Sequence, residues 1–402
     1  MPARRTSKKA ASSARSARDG RVAPRIVTAV PLCDGHDSAI STINLELVRH
    51  GWEVVYLGYH QAASAIARAA VQEDAQAIGL SSYNGGHVVF FREVLAQLRA
   101  RGADDVLLFG GGGGTITAAD ATVLERAGVR KIFFAGTSLD EMAKTMTSEL
   151  ARKTPRARAL HGDRALGRAI TLAEQAAATK KTQARAKSRS TLVVGVAGPG
   201  GAGKSTLIDE LTARFLRAKP EGRIAVLAND PSHPGGGALL GDRVSAIYAQ
   251  DERVFFRSLA TRGDASGVSG ATPRVLEILR ESGEFDLVLV ESVGIGQESD
   301  PFGVFGAARL VDRVAFVLSP HYGGRIQLQK IALLEASDFV VLNKCDDRRA
   351  ATARGELAER LGANRRAQSF HATIAASHAD PGVDALYEAL VAPSASPGRS
   401  EP

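Results

Sequence analysis

Cysteine is scarce in this 402-residue chain: Cys33 and Cys345 are its only two, and they stand far apart. No disulfide framework or cysteine-ligated metal cluster can be assembled from them, so a reducing setting, the cytoplasm, is the expectation. Long apolar runs are missing too. Those present, such as Leu192 to Val196 and Leu287 to Val290, fall far short of the roughly 20 residues that a membrane-spanning helix needs. No membrane partner is expected.

The third scarcity is of positive charge where it would matter. The formal net charge is +8, which on its own suggests nucleic acid. Residues 1–24 carry seven basic residues against Asp19, and residues 151–190 carry eleven against Asp163 and Glu174. Removing these two segments leaves the rest mildly acidic, so no nucleic-acid-binding face is expected. The first segment reads as a disordered basic tail, although its Ala, Ser and Arg content also fits a mitochondrial transit peptide. The second reads as a basic linker, helical over Ala165 to Ala178, and residues 393–402 as a second disordered tail.

What is present is an alternation of strands and helices. Apolar runs at Ile26–Val30, Val54–Leu57, Ala77–Ser81, Val106–Phe109 and Lys131–Phe134 are separated by stretches with three- and four-residue apolar spacing. That rhythm predicts a five-stranded parallel sheet with packed helices over residues 25–150, flavodoxin-like or Rossmann-like. A second series runs through Leu192–Val196, Ile224–Leu227, Leu287–Val290, Val314–Leu318 and Val340–Leu342. The fold class is α/β, with two doubly wound domains, the second over residues 191–392.

The run from Gly198 to Ser205 fits G-x-x-x-x-G-K-[ST] between a strand and a helix. Gly201, Ala202 and Gly203 leave backbone N–H groups free to surround phosphates. Lys204 is placed for the β- and γ-phosphates, the Ser205 hydroxyl for Mg²⁺, and Thr206 follows in the first helical turn. Asn343-Lys344-Cys345-Asp346 ends a late strand. A carboxylate there accepts hydrogen bonds from guanine N1–H and the 2-amino group, a donor pair that adenine lacks. GTP is therefore the expected substrate. Asp230 and Asp242 are candidate Mg²⁺ carboxylates, and Glu291 stands at the strand end where GTPases carry D-x-x-G.

Asn229-Asp-Pro-Ser, Gly235 to Arg243 and Glu291-Ser-Val-Gly-Ile-Gly-Gln resemble the metallochaperone GTPases that serve cobalamin-dependent acyl-CoA mutases. The resemblance implies that Ser205, Asn229, Asp230, Asp242, Glu291 and Ser292 surround Mg²⁺. It also implies catalytic roles for Lys204, Asp242 and Glu291, and a guanine-contacting loop at Thr373-Ile374-Ala375. Ser245 departs from the Arg that fused relatives commonly carry.

In the first domain, Asp34-Gly-His36-Asp-Ser-Ala39 resembles the D-x-H-x-x-G motif of B12-binding domains, with Ala39 in place of Gly. That implies His36 as axial cobalt ligand, with Asp34 accepting its other ring N–H. Ser81 and Ser82, and Gly110, Gly111 and Gly112, follow the third and fourth strands, where such sheets bind ligands; His87 is expected to be structural. The order of parts resembles the N-terminal half of fused isobutyryl-CoA mutase. It implies adenosylcobalamin, Mg²⁺ and GTP as ligands, an acyl-CoA mutase catalytic subunit encoded separately as partner, and a homo-oligomer. Two other readings stay open: a GTPase regulator with a degenerate B12-like domain, which would not retain cobalamin, and a methylcobalamin carrier, which would partner with methyltransferases.

Overall fold

The computed structural model describes residues 23–32, 38–152, 161–177, 191–233, 236–294, 300–306, 309–321, 332–362, 364 and 368–393. The first domain contains β1 (Arg25–Ala29), α1 (Ser38–Arg49), β2 (Glu53–Tyr56), α2 (Ala63–Gln72), β3 (Ala77–Ser81), α3 (His87–Ala100), β4 (Leu107–Gly111), α4 (Ala118–Ala127), β5 (Lys131–Phe133) and α5 (Leu139–Ala151). A bridging helix α6 (Gly162–Ala177) follows. The second domain runs through β6 (Leu192–Ala197), α7 (Lys204–Ala218), β7 (Ile224–Asp230), β8 (Ala238–Leu240), β9 (Val254–Ala260), α8 (Thr272–Ser282), β10 (Leu287–Glu291), β11 (Arg313–Leu318), α9 (Ala332–Ala336), β12 (Phe339–Leu342), α10 (Ala350–Gly362), β13 (Ser369–Ala372) and α11 (Pro381–Val391).

The strands are buried nearly throughout, as parallel sheets covered on both faces require. The second sheet has the order β13-β12-β11-β6-β10-β7-β9, all parallel. It exceeds the five expected strands because β9 and β13 were not predicted. Arg257 interrupts the apolar run of β9, and β13 is only half-buried.

The first sheet has the order β5-β4-β3-β1-β2-β8. Its sixth strand is contributed by the second half of the chain: β8 pairs parallel to β2, with Val54 opposite Leu239. The direction of the strand order reverses beside β1, between β2 and β3, which opens a crevice at their C-terminal ends.

The helix expected over Ala165 to Ala178 within the basic linker is α6, which begins at Gly162 and buries one face. Leu166, Ile170 and Ala173 join the core of the second domain. A Cβ on Gly167 would lie 2.9 Å from the carbonyl oxygens of Val71 and Gln72, so glycine lets α6 press against the end of α2.

Beneath this contact lies a buried ionic network. Arg25 pairs with Glu53 at 2.7 Å and with Glu73 and Glu174 at 3.2 Å. Arg257 pairs with Glu174 at 2.5 Å, and Arg262 with Glu53 at 2.8 Å. Burial penalises the Glu174 charge, but Arg25, Arg257 and Arg262 outweigh it and hold this carboxyl well below its usual range. Such a network sets geometry more than it adds stability, because each charge has given up water.

Candidate functional site

The phosphate loop lies between β6 and α7. Gly201 and Gly203 have φ of 74° and 89°, the left-handed region where glycine is unstrained. Gly203 also has no room for a side chain, since a Cβ would sit 2.4 Å from Asn343 Nδ2. Ala202 is buried, whereas Gly201 and Thr206 are exposed. Lys204 is buried, with Nζ donating to the carbonyls of Gly198 (3.2 Å) and Pro199 (3.3 Å). Burial pushes its pKa down, while Glu291 and Asp242 oppose that shift.

Three carboxylates lie together here, Glu291 and Asp242 beside the lysine and Asp230 beside those two. Ser205 Oγ donates to Glu291 Oε1 at 2.8 Å. Asp230 Oδ2 is buried with no hydrogen-bond partner among the described residues. Burial is the main force raising Asp230 and Glu291, each up to about 8, and repulsion from Asp242 adds to it. Burial raises Asp242 as well, against the pull of Lys204. A hydroxyl, a partnerless carboxylate oxygen and like charges held together form the donor set of a hard divalent cation, and Mg²⁺ keeps several waters in such sites.

The sequence reading also grouped Asn229 and Ser292 with the Mg²⁺ residues, and the structure gives both other work. Asn229 Nδ2 donates to the Glu291 carbonyl, and its Oδ1 accepts from Ser269 N, each at 2.8 Å. Both ends of the amide are therefore used, one on the end of β10 and the other on the loop before α8. The Ser292 hydroxyl donates to the Val293 carbonyl at 3.0 Å. Gly294 packs on the phosphate loop, where a Cβ would stand 2.8 Å from Gly200.

These shifts give a pH prediction. A carboxyl raised in the fold keeps its proton to higher pH than in the unfolded chain, so metal-free stability falls as pH rises from about 4 to about 8. A cation must displace those protons. Mg²⁺ affinity is therefore expected to weaken about tenfold or more between pH 8.5 and pH 6, with proton release on binding. Calorimetric titration in buffers of different ionisation enthalpy measures both, and a pH-independent affinity would contradict the assignment.

The base corner is organised by Asn343. Its Nδ2 donates to the Ala202 carbonyl (3.0 Å), while its Oδ1 accepts from Thr373 Oγ1 (3.1 Å) and Ala375 N (3.0 Å). One side chain thus ties the phosphate loop to both base-side loops. Cys345 N donates to the Thr373 carbonyl (3.1 Å), and its thiol donates to the Leu342 carbonyl (3.1 Å). Asp380 caps α11 through Val383 N and also accepts from Ile374 N at 3.0 Å. Lys344, at φ 62°, and exposed Asp346 line an open cleft with Ile374 and Ala375.

In the first domain a cavity of about 200 Å³ opens at the C-terminal ends of the strands. Thr28, Gly79 and Ser81 form its floor, and Ile40, Phe133 and Met142 belong to its apolar wall. Ala39, Gly110, Gly111 and Gly112 also line it. Thr28 Oγ1 is buried without a hydrogen-bond partner among the described residues, and so is Ser82 Oγ, although Ser82, expected at this site, is not one of the residues that line the cavity. An apolar wall with the unspent Thr28 hydroxyl at its base suits a flat heteroaromatic group carrying a polar edge.

The glycine run is needed by the protein itself. A Cβ on Gly110 would meet the Phe91 ring at 2.2 Å, and one on Gly112 would meet the Ser82 carbonyl at 1.7 Å. His87 is buried between the Asn84 carbonyl (2.9 Å) and Asp120 (3.3 Å). Asp34 and His36 lie outside the described residues.

Residues 166–393 match the family described as Methylmalonyl Co-A mutase-associated GTPase MeaB, and residues 24–158 match the B12 binding domain. The chain is 38% identical over 392 residues to fused isobutyryl-CoA mutase of Cupriavidus metallidurans, covering 91% of this chain and 35% of that protein. Fused isobutyryl-CoA mutase of Geobacillus kaustophilus is 35% identical over 399 residues, covering 91% and 36%. The chain thus spans about a third of the length of these relatives. Among solved structures, an LAO/AO transport system kinase aligns with a TM-score of 0.40 and 24% identity over 56% of this chain and 68% of its own.

Proposed function

Because the chain belongs to the methylmalonyl-CoA mutase-associated GTPase family and joins that GTPase to a B12-binding domain, we propose that it carries adenosylcobalamin, hydrolyses GTP with Mg²⁺, and serves as cofactor-bearing chaperone for an acyl-CoA mutase catalytic chain. The observation that carries this reading is that one chain holds both the cavity above β1 and β3 and the acidic phosphate loop. The fused relatives supply the partner class: their names describe a mutase, and this chain matches about a third of their length.

The residues divide the work. Ser205, Glu291, Asp230 and Asp242 would hold Mg²⁺, which when bound neutralises charge on the phosphates. Lys204, released from the Gly198 and Pro199 carbonyls, would bind the β- and γ-phosphates. Asp346 reads the base, while Asn343 holds its loop against the phosphate loop. In the first domain the cavity would take the nucleotide tail of the corrinoid, with Thr28 and Ser81 offering hydroxyls. His36 would ligate cobalt, and the bound cofactor supplies the cobalt–carbon chemistry.

The test is reconstitution. Mixed with the catalytic chain of an isobutyryl-CoA-type mutase and adenosylcobalamin, this chain is expected to support isomerisation that is absent when it is omitted. Cobalamin binding without isomerisation, and a preference for methylcobalamin, would instead favour the methyl-carrier reading.

A further inference from the structure

The segment 236–243 belongs to both domains at once. Gly237, at φ 75°, has no room for a side chain: a Cβ would lie 2.5 Å from the Val48 carbonyl and 2.7 Å from that of Trp52. Ala238 N then donates to the Trp52 carbonyl at 3.1 Å, and β8 runs on beside β2. Two residues beyond β8, Asp242 faces Asp230, Glu291 and Lys204 in the phosphate site.

The next residue points the other way. Arg243 Nη1 donates to Glu73 Oε1 (3.2 Å) and to the Phe256 carbonyl (2.8 Å), and its Nη2 donates to Gln72 Oε1 (2.7 Å). Glu73 and Gln72 stand at the end of α2, in the first domain. The turn between the two commitments is short and tied, with Val244 N donating to the Gly241 carbonyl (3.1 Å) and Ser245 Oγ to that of Asp242 (2.8 Å). A change in where Asp242 sits must be passed to Arg243 and β8, or their hydrogen bonds must break.

We propose that the turn Gly241–Ser245 transmits the nucleotide state of the phosphate loop to the first domain, with Arg243 as the positioning residue. This inference rests on the reading of the second domain as a GTP site. A purely structural staple would give Arg243 no nucleotide-dependent effect. Its loss would also leave Glu73 partnered, because Arg25 at 3.2 Å and Ser258 N and Oγ at 3.0 Å remain.

The chain carries its own reporter, since Trp52 is its single tryptophan and lies buried at the β8 junction, with its indole N–H on Thr147. Trp52 emission of the full chain is measured with GDP·Mg²⁺ and with a non-hydrolysable GTP analogue and Mg²⁺, while binding is followed separately with a fluorescently labelled guanine nucleotide. The expected result is emission that differs between the two nucleotide states. The Arg243→Lys variant, which keeps the charge but loses the fork, should lose that difference while still binding nucleotide. By linkage, cobalamin affinity should also shift about fivefold or more between the two states.

Nucleotide binding with identical Trp52 emission in the natural protein would overturn the inference and leave the GTP site standing; this holds even if the variant fails to fold. A nucleotide response that persists undiminished in folded Arg243→Lys would overturn the role of Arg243. Failure to bind any guanine nucleotide would overturn both the inference and the reading beneath it.

Discussion

Asp346→Asn is expected to lower GTP affinity by about two to four orders of magnitude and to raise affinity for xanthosine triphosphate. Two hydrogen bonds from guanine to one carboxylate, each worth about 1.5–3 kcal/mol, set that range. Asparagine keeps an acceptor for N1–H but turns an N–H₂ toward the guanine 2-amino group, donor against donor. Xanthine has an oxygen there and is accepted. The surrounding loop should hold its shape, because Asp346 is exposed and the Asn343, Thr373 and Ala375 bonds do not involve its side chain. Competition binding with GTP, XTP and ATP reads the outcome. Unchanged GTP affinity would place the base elsewhere.

The second large effect is expected at Gly112. A methyl group there would lie 1.7 Å from the Ser82 carbonyl oxygen, and the neighbouring Ser82 N–H to Gly111 carbonyl bond, at 2.8 Å, resists separation of the two loops. Overpacking against backbone has no flexible side chain to absorb it, so Gly112→Ala should cost about 3 kcal/mol or more and close or distort the cavity. Gly85→Ala, in the adjacent loop, meets nothing within 4 Å and should stay within about 0.5 kcal/mol of the natural chain. Thermal unfolding of the two variants, together with cobalamin retention, separates a strained loop from a general glycine effect.

The parts of this protein legible in its sequence are those that backbone geometry writes into adjacent residues. The phosphate loop needs small residues in one run, and the base-reading residues sit together at the end of one strand. The presence of two α/β domains follows from apolar strands that are buried on both faces. The fold also shows where that reading loses its grip. The cavity wall is assembled from Ile40 of α1, Phe133 of β5 and Met142 of α5, residues too distant for any local pattern to join.

Buried charge was hidden for a different reason. Arg25, Glu73, Glu174 and Arg257 look like solvated surface until their partners, drawn from both halves of the chain, are known. The same ambiguity hid the burial of α6, whose helical character was legible while the packing of Leu166 and Ile170 into a core was not. β8 is three residues long and carries no usable period, so its crossing to the first sheet could not be anticipated. The Asn343 latch was half legible: the motif named the residue for the base, while its bonds show it holding three loops together.

The central claim is that cobalamin and GTP are handled by one chain, and the most direct measurement is cofactor retention. The 402-residue chain is loaded with adenosylcobalamin and passed through gel filtration, and its absorbance spectrum is compared with that of His36→Ala. The account predicts close to one cobalamin per natural chain and a spectrum that changes when His36 is replaced. A natural chain that binds GTP yet elutes free of cobalamin would contradict it.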